Sequence, residues 1–257
     1  MAIVDDDFQG YSIGASAPFG DWILEGGAIT NVIVSGHAPT GMDRAFRLFG
    51  NVLIDPTIPG YLTSFTVFVA IFKGQLGQVL AFGNGPNLTG HIFEILALKV
   101  EADSTLSVTG PLTETLGNSH DAWLDYNAVN FVQVNVQLSD VLVSGVKHIN
   151  IDCQVALNGT QVISFNATTG APVTDLANGT SEVNRFYLTA AEAFYSAYTL
   201  DNLKSINDYP HPGTPSALAF QASVEVDILP DTAKVRILQA VVEVDLLVPD
   251  RWYVSES

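Results

Sequence analysis

Two short stretches, VEVDIL (Val224–Leu229) and VEVDLL (Val242–Leu247), each set a Glu and an Asp two residues apart in an otherwise apolar run. Carboxylates roughly 5–5.5 Å apart can hydrolyse a glycosidic bond, one as nucleophile and the other as acid/base. Alternation along a strand puts residues i and i+2 on one face, so Glu225 shares a side with Asp227, and Glu243 with Asp245. Glu101 and Asp103 repeat the spacing. The residues that follow carry no further acid: Ile228-Leu229-Pro230, Leu246-Leu247-Val248 and Ser104-Thr105-Leu106. These acids read as the wet side of a strand, and no catalytic residue is assigned.

The other reactive residue types are scattered. The five histidines (His37, His91, His120, His148, His211) include no pair at metal-ligand spacing. There is no Gly-x-Ser-x-Gly elbow, and Gly83-Asn84-Gly85-Pro86-Asn87 reads as a turn rather than a phosphate loop. The single cysteine, Cys153, lies in an apolar-alternating run and reads as a buried, inert thiol. One stretch does suit a ligand. His120-Asp121-Ala122-Trp123-Leu124-Asp125-Tyr126 sets two aromatics beside acids and a histidine. Sugar rings stack on exposed aromatic faces while acids take their hydroxyls, so His120, Asp121, Trp123, Asp125 and Tyr126 are candidate glycan-binding residues. The competing reading is that Trp123 and Tyr126 fold back to cover a sheet edge, since such rings bury large areas.

The elements that must position these residues are strands. The chain has 257 residues, is 47% hydrophobic and carries few charges, enough for one large β domain or a domain with an extension. Short runs alternate apolar and polar residues between Gly, Pro and Asn, the pattern of a sandwich or barrel. Strands are expected at Ala28–Val34, Ala45–Leu53, Thr63–Phe72, Val79–Phe82, His91–Glu101, Thr105–Thr109, Phe131–Ser139, His148–Leu157, Thr160–Asn166, Arg185–Leu188 and Thr199–Ser205. Asn158-Gly159 is a two-residue hairpin turn, because both residues tolerate φ > 0. Thr189–Tyr198, rich in alanine, stays open between a helical turn and a loop.

Near Asn207 the texture changes. Residues 207–216 hold three prolines, Pro210, Pro212 and Pro215, and read as a stiff connector. The organisation read from this is a sandwich over 1–206, a connector over 207–216 and a β extension over 217–257. In the extension, Val224, Val226 and Ile228 share one strand face, as do Val242, Val244 and Leu246. Such an apolar stripe needs a partner sheet, and two or three strands are marginal alone. The extension is therefore expected to be an assembly element of a homo-oligomer, with Trp252 as a plug or a frayed end.

The net charge of −17 repels phosphate backbones and anionic membrane surfaces, so neither nucleic acid nor membrane is expected as a partner. The start, MAIVDDDFQG, has no basic n-region or long apolar h-region, and no signal peptide is read there.

The order of parts over residues ~5–205 resembles the concanavalin A-like lectin/glucanase fold in its laminin-G-like branch. Asp7-Phe8-Gln9-Gly10-Tyr11 with Pro18-Phe19-Gly20-Asp21-Trp22 is similar to its first strand and turn. Phe93-Glu94-Ile95 through Thr105-Leu106-Ser107-Val108 resembles its central hairpin, and Val132–Val136 its long central strand. Val155–Val162 resembles its strand–Asn-Gly–strand signature, and Phe186–Leu188 and Tyr198–Leu203 its last two strands. The resemblance implies an all-β, two-sheet antiparallel jelly-roll sandwich, here with a C-terminal β-strand extension. It also implies that an enzyme would carry Glu-x-Asp-x-x-Glu or Glu-x-Asp-x-Glu on one strand. The third acid is missing here, so no enzyme is expected. Proteins of this fold often hold a structural ion near the paired first and last strands. Asp5, Asp6, Asp7 and Asp201 are the oxygen ligands that a structural Ca2+ would use, against a simply solvated acidic terminus; no cofactor is otherwise required.

Ala233–Asp245 also resembles C-terminal stretches of predicted tailed-phage virion proteins. The expectation is a virion structural protein, made in the host cytoplasm and contacting other virion proteins as capsid decoration or as part of a tail or fibre, with weak glycan adhesion. The alternative is a bacterial carbohydrate-binding or glycoside-active protein.

Overall fold

The computed structural model describes residues 3–6, 8, 10–15, 22–26, 32–35, 45–56, 58, 60–72, 77–84, 94–111, 114–125, 128–175 and 180–206. The connector and the extension, with Val224, Val226, Ile228, Val242, Val244, Leu246 and Trp252, lie outside the described residues, as do Asp7 and Tyr126.

The described chain is an antiparallel jelly-roll sandwich of two layers. Sheet A runs β12 (Thr160–Pro172), β11 (Val146–Leu157), β10 (Asn130–Val143), β5 (Ser64–Phe72), the second half of β13 (Arg185–Asp201) and β1 (Val4–Asp6). Sheet B runs β9 (Thr115–Trp123), β8 (Thr105–Thr109), β7 (Glu94–Val100), β6 (Gly77–Gly83), the first half of β13 and β4 (Ala45–Pro56), with β2 (Trp22–Gly26) and β3 (Val32–Ser35) on the far edge of β4.

One strand joins the layers. The start of β13 pairs with β6 (Arg185↔Gly83 to Leu188↔Leu80), and its end pairs with β5 (Phe194↔Phe72 to Asp201↔Thr66). Register shifts at Ala190/Glu192 and Tyr195/Ala197 mark where it bends from one layer to the other. The alanine-rich stretch is therefore the middle of a strand, neither helix nor loop. Ala and Glu favour helix on their own, but here burial decides. Tyr195 is fully buried, and its hydroxyl donates to the carbonyls of Val79 and Thr189 at 2.8 and 3.0 Å.

Alternation builds the core. Val132, Val134, Val136 and Leu138 of β10 point inward, and all are buried. Ile149, Ile151, Cys153, Val155 and Leu157 do the same from β11, and Phe65, Val67, Val69 and Ile71 from β5. They meet Leu80, Phe82, Leu96, Leu98, Leu106 and Val108 from sheet B in one apolar cluster. Burial pushes the Cys153 thiol pKa up, with the charge of Asp152 adding to it, so the thiol stays protonated. The layers also touch at their far edge: a Cβ at Gly117 of β9 would lie 2.6 Å from Ile163 Cγ2 and 2.8 Å from Phe165 Cδ1 of β12.

The turns follow local chemistry. Asn158 and Gly159 adopt φ of 49° and 83°, as their types allow. Ser144 (φ 52°) and Gly145 (φ 81°) close the β10–β11 hairpin the same way. Glu101 and Asp103 sit in the β7–β8 turn: Asp103 Oδ1 accepts from the Thr105 amide and hydroxyl, and Glu101 accepts from the Ser107 hydroxyl. Those hydrogen bonds hold the Asp103 carboxyl below its usual range, the hydroxyl of Thr105 most of all.

A buried pair was not foreseen. Asp55 of β4, fully buried, accepts from Arg185 Nη1 at 3.0 Å and from the Phe186 amide at 2.9 Å. It ties β4 to the start of β13.

Candidate functional site

Toward the end of β13, the outer face of sheet A is polar where its inner face is apolar, while the outward rows nearer Phe131 carry Phe68, Ala70 and Phe131. Register sets these outward residues side by side across the strands. Asp201 of β13 stands opposite Thr66 of β5, Thr66 opposite Asn135 of β10, Asn135 opposite Gln154 of β11, and Gln154 opposite Ser164 of β12. The next row joins Gln137, Asp152 and Asn166.

After β13 the chain turns back across this face as a strap, Asn202–Ser205, which the expected strand Thr199–Ser205 had absorbed. Asp201 ends the strand, its Oδ1 accepting from the Asn202 amide at 2.7 Å. The Lys204 amide donates to Thr66 Oγ1 at 2.8 Å, and Asn135 Nδ2 donates to the Lys204 carbonyl at 2.9 Å. Gln133 Nε2 donates to the Ser205 carbonyl at 2.8 Å. Thr66 Oγ1 and Gln133 Nε2 both donate to Asn135 Oδ1, at 2.9 and 3.0 Å. Thr66, Gln133 and Asn135 are all buried under the strap. The strap has no ladder of its own, so these three side chains supply the partners its backbone needs.

Strap and sheet enclose a recess of about 90 Å³ lined by Asn135, Gln137, Asp152, Gln154, Leu203 and Lys204. Among the described residues, Gln137, Asp152 and Gln154 make no side-chain hydrogen bond or ion pair. Lys204 does, with its Nζ 3.3 Å from Asp201 Oδ2. Three polar side chains with unfilled hydrogen-bonding capacity thus converge on one opening. The two amides can donate to and accept from a ligand rich in hydroxyls, and the carboxylate can accept from it.

The aromatic stretch lies elsewhere, on the edge strand of sheet B. Residues 115–123 form β9, a strand not among those expected from the sequence. Trp123 stands opposite Thr105 and Asn118 opposite Ser107, so residues 119–122 bulge against Leu106 alone. Ser119 holds the bulge: its hydroxyl donates to the Ala122 carbonyl and accepts from the Leu106 amide. His120 sits exposed at the tip with φ 49°. Asp125 is exposed just beyond, where Asn130 bridges the backbone of Asp125 and Ala128. The positions of the Asp121 and Trp123 side chains lie outside the described residues.

The acidic start does not converge on one point. β1 pairs with β13, Asp5↔Thr199 and Asp6↔Tyr198. Asp5 accordingly faces out and accepts from Thr199 Oγ1 at 2.9 Å. Asp6 faces the aromatic core, where its carboxylate accepts from the Phe8 amide, the Tyr11 hydroxyl and Trp22 Nε1 at 2.7, 2.7 and 2.8 Å. Phe8 itself, at φ 60° and fully buried, is a turn anchor rather than part of the first strand. Asp5, Asp6 and Asp201 thus do not share one coordination sphere, and no group of three His, Cys, Asp or Glu suited to a metal ion occurs among the described residues.

No family model matches the chain, and no curated protein matches it. Among solved structures, the chain is similar to the exoplasmic/lumenal domain of VIP36 in its Ca2+/Man3GlcNAc-bound form, at 11% identity and a TM-score of 0.39, over 72% of this chain and 83% of that one. It is similar to the carbohydrate-binding module CBM66 from Bacillus subtilis at 13% identity and 0.41, over 72% and 95%. It is also similar to a Bacillus subtilis protein with a galectin-like fold at 11% identity and 0.43, over 72% and 91%. At such values, function must be argued from this chain's own residues.

Proposed function

We propose that this protein is a non-enzymatic, lectin-like virion component of a tailed phage, and that its sandwich binds a glycan on the outer face of sheet A. The observation that carries the glycan reading is the recess, where Gln137, Asp152 and Gln154 present unspent hydrogen-bonding groups beside Lys204. Gln137 is exposed and Asp152 and Gln154 are half-buried, so all three can exchange water for a ligand, and a concavity lined by such groups suits a hydroxylated ligand better than an apolar one. The same recess argues against hydrolysis. Glycosidic cleavage uses two carboxyl groups, whereas here Asp152 alone is unengaged and Asp201 is held by Lys204.

A glycan array followed by calorimetry tests this. The intact protein binds at least one glycan, and Gln154→Ala with Asp152→Ala abolishes that binding while the melting temperature holds. Loss on Trp123→Ala instead would move the site to the β9 edge, and no hit on the array would sink the glycan reading. The reading needs no metal, so a chelator leaves the affinity unchanged. A loss of binding restored by calcium would reopen the acidic start as an ion site.

The virion placement rests on the sequence of the extension, through the resemblance of Ala233–Asp245 to virion proteins and the apolar strand faces that need a partner. Mass spectrometry of purified particles checks it: hundreds of copies mark capsid decoration, a few mark a tail or fibre, and none refutes it. A chain ending at Asp208 is expected to keep the sandwich and lose its oligomeric state in light scattering.

A further inference from the structure

The recess is composite in charge as well as in construction. Asn135, Gln137, Asp152 and Gln154 come from β10 and β11, while Leu203 and Lys204 come from the strap. Lys204 is the cation of the lining, and its ammonium lies 3.3 Å from Asp201 Oδ2, a carboxylate that is itself mostly buried. Among the described residues, no cation stands within ion-pair distance of Asp152. The recess therefore holds one balanced pair and one uncompensated negative charge, on a chain whose net charge is −17.

We infer that the recess selects uncharged, polyhydroxylated glycans and rejects acidic ones, with Asp152 as the residue that discriminates. This rests on the glycan reading above. Hydroxyl groups of a neutral sugar donate to the Asp152 carboxylate in charge-assisted hydrogen bonds. The Gln137 and Gln154 amides take neighbouring hydroxyls in either sense. A uronic, sialic or sulfated sugar brings a second negative charge against Asp152. The charge of Lys204 is already balanced by Asp201, 3.3 Å away. Like charges juxtaposed at an interface suppress binding, and the net charge of the whole chain acts in the same direction at long range.

The test uses the full chain and charge-contrasted polysaccharides: a mannan, a galactan and a glucan against polygalacturonate, polysialate and a sulfated galactan. The wild type binds at least one neutral member and favours it over the acidic set by about tenfold or more, a gap that narrows as salt screens the field. Asp152→Asn keeps the shape and removes the charge. It weakens the neutral ligand by about three- to tenfold, as a charge-assisted bond becomes a neutral one, and it raises acidic binding. Lys204→Gln frees the Asp201 charge and widens the gap. Opposite shifts from these two folded variants support the inference, and shifts in the same direction overturn it. Acidic glycans bound by the wild type as tightly as neutral ones overturn charge selection and leave the glycan reading standing. Binding of neither class overturns that reading, and this inference with it.

Discussion

The two outer faces of the sandwich are built from the same alternation and end up opposite in character. On sheet B, one row runs Tyr187, Ala81, Ala97 and Thr109 across four strands, and the next includes Lys99 and Ser107. Tyr187, Ala81 and Ala97 form a second, smaller cluster with no exposed surface, and Ser107 and Thr109 are buried as well. On sheet A, the rows through Thr66, Asn135 and Gln154 and through Gln137 and Asp152 are polar, and beyond the strap's edge they keep unfilled hydrogen-bonding groups. A face of small, closely packed side chains answers to stability. A face of amides and acids with open valences answers to a ligand.

If that contrast is right, substitutions should separate. The largest effect belongs to the buried pair behind sheet B. Asp55→Ala removes the carboxylate that accepts from Arg185 Nη1 and from the Phe186 amide, and should cost about 3–5 kcal/mol in chemical denaturation. A cost near zero would show that β4 and β13 do not depend on it. Ala97→Leu forces a larger side chain against Tyr187 and should cost about 1–3 kcal/mol; a tolerated leucine would mean that sheet B's outer face is not close-packed. Thr66→Val removes the acceptor of the Lys204 amide and the donor to Asn135, at about 1–3 kcal/mol. It should also weaken glycan binding through the loosened strap, which links the two properties at this one place. Gln154→Ala, by contrast, should change stability by less than about 0.5 kcal/mol while lowering affinity. A matching loss of stability would erase the distinction between the faces.

The smallest effect concerns pH. Lys147 Nζ lies 2.7 Å from Asp140 Oδ2 near the tip of the β10–β11 hairpin, and both side chains are largely exposed. The hydrogen bond to Lys147 holds the Asp140 carboxyl below its ordinary 3.8, with Ser181 adding to it and desolvation opposing. A depressed folded-state value means stability that is complete above the ordinary value and lost as the pH falls through the depressed one. Exposure keeps it small. Asp140→Asn should therefore flatten the acid limb of the melting profile slightly and leave the neutral region alone.

How much of this was legible differs by region. The hairpin of β11 and β12 could be read directly from Asn158-Gly159, because the chemistry of a two-residue turn is local. The strand cores were equally plain, since inward apolar residues alternate with polar ones along most of β10 and β11. β9 was missed because its bulge breaks the alternation between Asn118 and Trp123. The recess was missed because its residues come from 135–137, 152–154 and 203–204. No spacing along the chain brings those together, although the outward amides of β10 and β11, polar beside buried neighbours, were a signal that could have been weighed. The aromatic stretch at His120–Tyr126 stands out instead, because its residue types cluster in sequence.

What the sequence determined by itself was the class of the fold and the side of each strand, because the twofold alternation of a pleated chain is a property of neighbours. It also determined the charge that any ligand must meet. Only the tertiary structure decided which polar residues are spent and which remain free. Thr66, Gln133 and Asn135 are consumed by the strap, whereas Gln137, Asp152 and Gln154, also polar and on β10 itself or the adjoining β11, are left open. The reason is physical: a hydrogen bond is made with whatever the fold brings within about 3 Å, and that depends on strand register and on where the chain turns back, neither of which is written at any single position.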